Sequence, residues 1–342
     1  MNNEIELLRS VIGKDICQYL DDPNVHEIYI NENGYLWIVD GKRGKFCRKD
    51  ICLNREKVET IIRAVAGAAH QVITPELPAL GCEINELKCR VQAQVPPIVS
   101  SPTIFLRKKA STIFPIGFYI KTGFLTQEMA DYLKKAIKER KNILVVGATG
   151  TGKTTFLNTL IQLVVEVTPN DRILILEDVP ELQCKAEDFT KLQTYVDKDS
   201  KNNITMQMLL YYAMRLSPKR IILGEVRDLA AYTLLKAWNT GHPGGLCTTH
   251  ANSAIEGLTR LEVLIKEDLS AQGDMRALIG QAVNVIVDIY REDFINAPSK
   301  RYIRNIIEVD GFDSKENKYK FKTIYQNKEK NHEVFNEGEK IY

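Results

Sequence analysis

The residues from Gly147 to Thr154 read GATGTGKT, which matches in full the G-x-x-x-x-G-K-[S/T] pattern of a phosphate-binding loop. An apolar run, Ile143–Val146, precedes the motif, and a helical stretch, Thr155–Val165, follows it. Glycines let the backbone curl until consecutive N–H groups point at phosphate oxygens, and the start of the helix adds positive charge. The motif therefore predicts a nucleotide site, with Lys153 on the β- and γ-phosphates and the Thr154 hydroxyl on Mg²⁺.

The expected nucleotide is ATP, because the chain has no N-K-x-D motif of the kind with which GTPases read guanine. A Gly-rich turn with an incidental lysine is the alternative. The complete pattern between a strand and a helix argues against that alternative. The residues assigned to the loop are Gly147, Ala148, Thr149, Gly150, Thr151, Gly152, Lys153, Thr154 and Thr155.

Two acidic segments follow apolar runs downstream of the loop. The run Arg172–Leu176 ends in Glu177 and Asp178, and the run Lys219–Gly224 ends in Glu225. Because ligands bind at the carboxyl edge of an open α/β sheet, these carboxylates are expected to meet the nucleotide there. Hydrolysis needs one group to orient the attacking water and another to help hold Mg²⁺. A solvated loop charge or a helix cap is the alternative for either carboxylate taken alone.

The turn-prone stretch Thr240–Gly245 contains His242, and it runs into Leu246–Asn252, which contains His250. Their spacing matches no standard zinc pattern. An imidazole can donate a hydrogen bond to a γ-phosphate and can respond when that phosphate leaves. From spacing alone, a structural hydrogen-bonding role is the commoner alternative for a lone histidine.

Bulk composition narrows the class of protein. The chain has 342 residues, which at about 150 residues per domain suggests two domains. Apolar residues make up 44%, enough for a packed core, and the net charge of +2 lacks the basic excess of a dedicated nucleic-acid binder. The seven cysteines form no C-x-x-C pair, which argues against a zinc ribbon. Neither a signal peptide nor an apolar stretch of about 20 residues is found, so we expect a cytoplasmic protein.

The first third of the chain mixes helix and strand patterns. The runs Glu27–Asn31 and Leu36–Asp40 flank a turn at Asn33–Gly34 and predict a β-hairpin. Apolar residues at helical spacing predict a helix over Asn54–Ala69, capped by its first residue. Two further strands are predicted at Cys89–Val95 and Thr103–Arg107.

The pattern changes after Phe114–Phe124, a segment with a proline and two glycines that we interpret as a linker. A helix capped by Thr126 follows, and from Asn142 onward short apolar strands alternate with helices. That alternation predicts a mostly parallel sheet covered on both faces. The segment Ser299–Tyr342 predicts a small antiparallel addition ending in a partly disordered tail. The predicted limits are 1–113 for an N-terminal α+β domain, 114–124 for the linker and 125–342 for an α/β domain with a C-terminal extension.

Four blocks in order resemble the traffic ATPases of type II and type IV secretion systems, and most of all the TrbB-like conjugal transfer branch of type IV secretion. The similarity spans about Ile28 to Tyr290. The third and fourth blocks together are the specific ones, since the first is shared by many NTPases. The blocks are GATGTGKTT at Gly147–Thr155, RILILEDVPEL at Arg172–Leu182, MRLSPKRIILGEVRD at Met214–Asp228 and TGHPGGLCTTHAN at Thr240–Asn252.

The resemblance implies a hexameric ring of two-domain subunits. Each would have a RecA-like P-loop motor domain and a smaller PAS-like N-terminal domain, with ATP and Mg²⁺ between them. It also implies that Glu177 polarises the attacking water, that Glu225 is the Walker B-like carboxylate near Mg²⁺, and that His250 senses the γ-phosphate. In such proteins N-terminal arginines reach the phosphates, and the matching positions are Arg90 and Arg107. Guanidinium groups suit that task because they stay charged and bind phosphate in a bidentate way. A surface arginine at a strand end is the alternative.

One residue departs from the family pattern. The third block usually carries an acidic residue or asparagine after its proline, and this chain has Lys219 there. The position precedes the strand, so we expect the change to affect local salt bridges more than catalysis.

The resemblance further implies a motor that energises a secretion or conjugation machine. It would lie in the cytoplasm, peripherally associated with the inner membrane and its partner complex, without direct nucleic-acid binding. The alternatives are a pilus retraction or assembly ATPase of the PilT type, a nucleotide-dependent scaffold without turnover, and a DNA-translocating motor. The missing C-x-x-C pairs argue against the zinc-bearing assembly branch, and the near-neutral charge argues against the DNA motor.

Overall fold

A computed structural model of the chain describes residues 2–108, 113–195, 203–268, 271–294 and 297–327. The chain forms two compact units. The first unit consists of Met1–Thr112 and Asp293–Lys300, and the second of Ile113–Glu292 and Arg301–Tyr342. The domain limits predicted from the sequence stay a prediction.

The first unit contains one antiparallel sheet with the strand order β3-β2-β1-β6-β5-β4. The predicted hairpin is confirmed, because β1 and β2 pair around the turn at Gly34. The predicted helix cap is also confirmed, since the Asn54 side chain accepts a hydrogen bond from the Lys57 N–H. The elements are α1 Asn2–Ile12, α2 Lys14–Asp21, β1 Val25–Ile30, β2 Tyr35–Asp40, β3 Gly44–Cys52, α3 Arg55–Ala68, β4 Ala79–Ile84, β5 Cys89–Gln94 and β6 Thr103–Lys108.

The second unit contains an eight-stranded sheet with the order β14-β13-β12-β7-β11-β10-β8-β9. Every neighbouring pair from β12 to β9 is parallel. Its elements are α4 Ile116–Lys121, α5 Gln127–Lys138, β7 Ile143–Gly147, α6 Lys153–Val167, β8 Ile173–Glu177, β9 Phe189–Gln193, α7 Met206–Ala213, β10 Arg220–Leu223, α8 Ala230–Asn239, β11 Leu246–His250, α9 Ala254–Lys266, α10 Met275–Ala282, β12 Val285–Phe294, β13 Ala297–Asp313 and β14 Lys318–Gln326.

Both faces of this sheet are buried, as the apolar strands predicted. Along β7, Ile143 and Val145 pack with α5 and α6, whereas Leu144 and Val146 pack with helices α7 to α10. Successive side chains of a strand point to opposite faces, so an all-apolar strand can supply two cores at once. Full burial of one such side chain contributes about 1.5–3 kcal/mol, and the strands are therefore fixed tightly in register.

The segment predicted as a linker belongs to the core that packs with α5 and α6 on one face of the sheet. It holds the short helix α4, and Tyr119 and Phe124 each lie 5.3 Å, ring centre to ring centre, from Phe156 of α6. The Thr159 hydroxyl of α6 donates a hydrogen bond to the Phe114 carbonyl. A six-residue helix with Gly117 inside it is too short to display a helical period, which is why the sequence pattern missed it.

The C-terminal extension is antiparallel, as predicted. Residues Asn305–Asp313 of β13 pair with residues Lys318–Gln326 of β14. The predicted tail beyond Asn327 lies outside the described residues. None of the helices in the described parts of the chain is both long enough and apolar enough to span a membrane.

A buried charge cluster ties the amino-terminal edge of the sheet together. Arg220, at the start of β10, is 0% exposed, and its Nε donates to Asp171 Oδ2 at 2.7 Å. Its Nη atoms donate to the carbonyls of Gly244 and Ile137, each at 2.9 Å. Burial alone would raise the pKa of Asp171, but hydrogen bonds from Arg220 and Arg140 hold that pKa below its usual range. The cluster joins α5, β10 and the segments before β8 and β11.

The departure at Lys219 lies at this same edge. Its side chain is exposed, and its backbone N–H donates to the Arg172 carbonyl at 2.9 Å. The position is therefore at the end of the sheet opposite the phosphate loop, where the sequence placed it.

Arg220→Met is expected to lower the free energy of unfolding by about 3–5 kcal/mol, because it leaves the buried Asp171 carboxylate without its main partner. Arg140→Met removes the half-exposed partner of the same carboxylate and should cost at most about 1 kcal/mol. Urea unfolding of the full chain, followed by circular dichroism, measures both. Equal losses in the two variants would contradict a dominant role for the buried arginine.

Candidate nucleotide site

Four parallel strands end at one edge of the second unit's sheet. In the register of the sheet Gly147 of β7 lies opposite His250 of β11, and Leu223 of β10 lies opposite Leu176 of β8. The residues that follow β7, β8 and β10 therefore emerge side by side. The structure thus brings together the predicted phosphate loop, Glu177, Glu225 and His250 at the carboxyl edge, where open α/β sheets bind ligands.

The phosphate loop uses its glycines for conformation and for space. Gly150 and Gly152 adopt φ angles of +76° and +97°, in the left-handed region that favours glycine. Helix α6 begins directly after Gly152, and no side chain caps its N-terminus. The first N–H groups of a helix have no partner within it, so the start of α6 is suited to an anion.

Lys153 is buried, and its ammonium group faces acceptors inside the loop. Nζ donates to the Gly147 carbonyl at 2.9 Å and to the Ala148 carbonyl at 3.0 Å. It also lies 3.0 Å from Nδ1 of His250. An ammonium group has three donors and no acceptor, so His250 Nδ1 must be the acceptor in this contact. The lysine predicted to bind phosphate is thus satisfied by the loop itself and by the predicted sensor.

His250 connects the lysine to the acidic end of β10. Its Nε2 lies 3.0 Å from Glu225 Oε1. With Nδ1 accepting from Lys153, the proton belongs on Nε2, which donates to the carboxylate. Burial lowers the pKa of His250, the charge of Lys153 lowers it further, and Glu225 acts in the opposite direction. The two contacts therefore favour the neutral imidazole, with its tautomer set by two charged neighbours.

The segment after β10 is pinned to β11, which fixes Glu225 in place. The Val226 N–H donates to the Thr248 carbonyl at 2.9 Å, and the Thr249 hydroxyl donates to the Val226 carbonyl at 3.0 Å. Arg227 then lies between two carboxylates, 3.6 Å from Glu225 and 3.4 Å from Asp178. The sequence pattern assigns no role to Arg227, and only the fold shows that it meets Asp178.

Glu177 is held by backbone donors. It is 5% exposed, and its Oε1 accepts from the N–H groups of Glu181 at 2.8 Å and Leu182 at 2.6 Å. Burial raises the pKa of Glu177, and these two hydrogen bonds act against the rise. Asn158 of α6 anchors the same turn, because its side chain bonds the Glu181 carbonyl at 3.2 Å and the Gln183 N–H at 2.7 Å. No local pattern in the sequence singles out Asn158.

The two predicted phosphate-binding arginines lie in the first unit. Arg90 of β5 and Arg107 of β6 are register partners in its sheet, and Arg90 Nε donates to Glu83 Oε1 at 3.3 Å. The proposed reach of both arginines to a nucleotide stays a prediction. Within the described ranges, no three or more His, Cys, Asp or Glu residues cluster in a way that could hold a metal ion by themselves.

Sequence comparison decides the family. The model of the family described as "Type II/IV secretion system protein" matches residues 74–321. The chain belongs to this family. It is 38% identical over 328 residues to a conjugal transfer protein TrbB of Rhizobium radiobacter, with 96% of each chain covered. It is also 29% identical over 333 residues to a type IV secretion system protein VirB11 of Bartonella quintana, covering 85% of this chain and 91% of that one. The resemblance seen in the motif blocks is confirmed.

A solved structure supports the same fold. The pilus retraction motor PilT with bound ADP matches with a TM-score of 0.58 at 22% identity, covering 84% of this chain and 81% of that one. Together with the two sheets, this match confirms the predicted class, a RecA-like P-loop α/β domain with a smaller N-terminal α+β domain. At that identity the match concerns the fold alone.

The His250 contacts predict that two substitutions shift the pKa of His250 in opposite directions. In nucleotide-free protein His250 should titrate below its ordinary pKa of 6.5. Lys153→Ala removes a positive neighbour and should raise the pKa, whereas Glu225→Gln removes a negative neighbour and should lower it further. Histidine-labelled protein can be titrated by NMR, since the chain has only five histidines and His250→Ala assigns the signal. Shifts in the same direction in both variants would contradict the contact chain.

Proposed function

We propose that this protein is an ATPase that energises a type IV secretion or conjugal transfer system. The observation that carries the proposal is the chain of contacts from Lys153 through His250 to Glu225, beside a buried Glu177 at the same sheet edge. The 38% identity to a conjugal transfer protein supports the biological setting. The likeness to a pilus retraction motor supports the fold without favouring that branch.

Binding would exchange the partners of Lys153. In the structure its ammonium donates to the carbonyls of Gly147 and Ala148. A polyphosphate entering the loop offers negatively charged oxygens instead, and these attract the ammonium group more strongly than neutral carbonyl oxygens do. The N–H groups at the start of α6 would take further phosphate oxygens.

The residues present fit a Mg²⁺–nucleotide complex. Thr154 lies in the first turn of α6 beside the loop, and the Glu225 carboxylate, which follows β10 at the same edge of the sheet, is 21% exposed. Oxygen donors of these types are the ones Mg²⁺ prefers, usually with substrate phosphates completing the set. Mg²⁺ bound there would neutralise charge on the β- and γ-phosphate oxygens.

Glu177 is suited to orient and polarise the attacking water. The backbone donors at Glu181 and Leu182 fix one carboxylate oxygen, so the carboxylate has a defined direction. Its raised pKa makes it a better proton acceptor than a solvated carboxylate. Asn158 ties this turn to α6, so the water-directing group and the phosphate loop share one support.

His250 is suited to sense the γ-phosphate. When Lys153 turns to phosphate, Nδ1 of His250 loses its donor while Nε2 keeps Glu225. The imidazole would then face the nucleotide with a changed charge environment, and loss of the γ-phosphate would reverse the change. The effect of His250→Ala distinguishes this sensing role from a structural role. A sensor is expected to lose more turnover than nucleotide affinity.

Membership of the family supports a proposal for the assembly. We infer a homohexamer in which Arg90 and Arg107 of the N-terminal domain approach the phosphates when the domains close. We further infer a cytoplasmic location, peripheral to the inner membrane, with secretion or conjugation components as partners and without direct DNA binding. Conjugal transfer is the stated role of the Rhizobium radiobacter relative, and type IV secretion that of the Bartonella quintana relative.

Steady-state ATPase assays test the enzyme. Lys153→Ala should abolish measurable turnover by weakening binding, and Glu177→Gln should lower kcat at least about 100-fold while ATP still binds. Lys219→Ala, an exposed lysine at the opposite edge, is the matched control and should behave as wild type.

Wild-type turnover equal to that of both site variants would rule out the enzyme. ATP binding without turnover in any form would favour a scaffold. Stimulation by DNA with a steep salt dependence would favour a DNA motor instead.

Native mass spectrometry tests the ring. With Mg²⁺ and a non-hydrolysable ATP analogue, the expected dominant species has six copies of the 38.9 kDa chain. A monomer at all protein concentrations, with or without nucleotide, would contradict the hexamer.

A further inference from the structure

Strand β12 passes directly beside the phosphate loop. It pairs in parallel with β7, with Val287 opposite Val145 and Asp288 opposite Val146. The next residue, Ile289, lies so close that a Cβ at Gly147 would be 2.5 Å from its carbonyl oxygen. The residues after Ile289, and those of β13 that return along the sheet, are therefore neighbours of the loop.

Two arginines from these strands meet at a single loop residue. Arg301 of β13 donates from Nε to the Gly150 carbonyl at 3.2 Å. Arg291 of β12 lies against the α-carbon of the same glycine, where a Cβ would be 2.8 Å from its Nη1 atom. The φ of +76° at Gly150 favours glycine, and the end of the Arg291 side chain would have to shift to admit a Cβ there. Both guanidinium groups are permanently charged at neutral pH.

The contact with the Gly150 carbonyl sets the direction of the next N–H group. A trans peptide places its C=O and N–H on opposite sides, so holding the oxygen towards Arg301 turns the Thr151 N–H to the other side. There it lies 3.4 Å from the Ala148 carbonyl. The same carbonyl accepts from the Thr151 hydroxyl at 2.9 Å and from Lys153 Nζ at 3.0 Å. Three donors of the loop thus converge on one acceptor, and an entering phosphate would replace that acceptor.

We propose that Arg301, supported by Arg291, is a positioning residue for the phosphate loop. Arg301 holds the Gly150–Thr151 peptide so that the loop's donors stay aimed at the polyphosphate of a nucleoside di- or triphosphate. Arg291 packs on the same glycine and adds a second positive charge beside the phosphate loop. The inference rests on the proposed nucleotide site and adds to it a pair of arginines from the same unit, distinct from Arg90 and Arg107.

The proposal predicts a loss of affinity that is the same for ADP and for an ATP analogue. Because Arg301 acts on the loop and not on the γ-phosphate, Arg301→Gln should weaken ADP and a non-hydrolysable ATP analogue in the same proportion, by about tenfold. Arg301→Lys keeps one charged donor and should lose less than Arg301→Gln. Arg291→Gln should show a smaller loss of the same kind. Binding is measured on the full chain by isothermal titration calorimetry with Mg²⁺, alongside the melting temperature without nucleotide.

Arg215→Gln is the matched control, since it removes the same charge from an exposed residue after α7. It should leave both affinities unchanged. Wild-type affinity in Arg301→Gln, with or without a lower melting temperature, would overturn the positioning role and leave the proposed function standing. A loss for the ATP analogue alone would also overturn it, because that result means direct contact with the γ-phosphate. No nucleotide binding by wild type and by the Arg215 variant would overturn the proposed function and this inference together.

Discussion

The site depends on one constraint, the common register of the parallel strands β7, β8, β10 and β11. Each strand is apolar on both sides, so a slip of one residue would exchange the layers that pack against the two sets of helices. That exchange is strongly disfavoured, and the four carboxyl ends are therefore held at fixed offsets along the sheet. The loop after β7, Glu177, Glu225 and His250 become neighbours because the core fixes the strands, although they are far apart in sequence.

Lys153 connects the ends of three of these strands through charged hydrogen bonds. Its ammonium meets the carbonyls at the end of β7 and the imidazole at the end of β11, which in turn meets the carboxylate after β10. Burial of Lys153 makes its contacts stronger than they would be in water, whereas the His250–Glu225 pair is more exposed. A ligand that draws Lys153 away must therefore alter His250 and Glu225 as well. Such coupling is the physical basis of the sensing role that we propose for His250.

The local part of this site could be predicted from the sequence. The loop is recognisable because its glycines and lysine are contiguous, and Glu177 and Glu225 because each ends an apolar run. The α4 helix was missed because six residues with an internal glycine display no period. Arg301 was missed because it meets Gly150 across 151 residues of sequence, and nothing in its local pattern records that contact. What sequence reasoning lacked was the pairing of distant segments, which only the sheet order supplies.

The two edges of the sheet carry different physical tasks. At the amino-terminal edge, Arg220 and Asp171 are fully paired and joined to surrounding carbonyls, an arrangement that holds segments in place and offers no open acceptor or donor to a ligand. At the carboxyl edge, the charged groups are satisfied by contacts that a polyphosphate can replace. A rigid edge allows the other edge to exchange partners, because loop rearrangements there need not disturb strand register. The exposed Lys219 lies on the rigid side, which explains why a departure from the family pattern is compatible with an intact site.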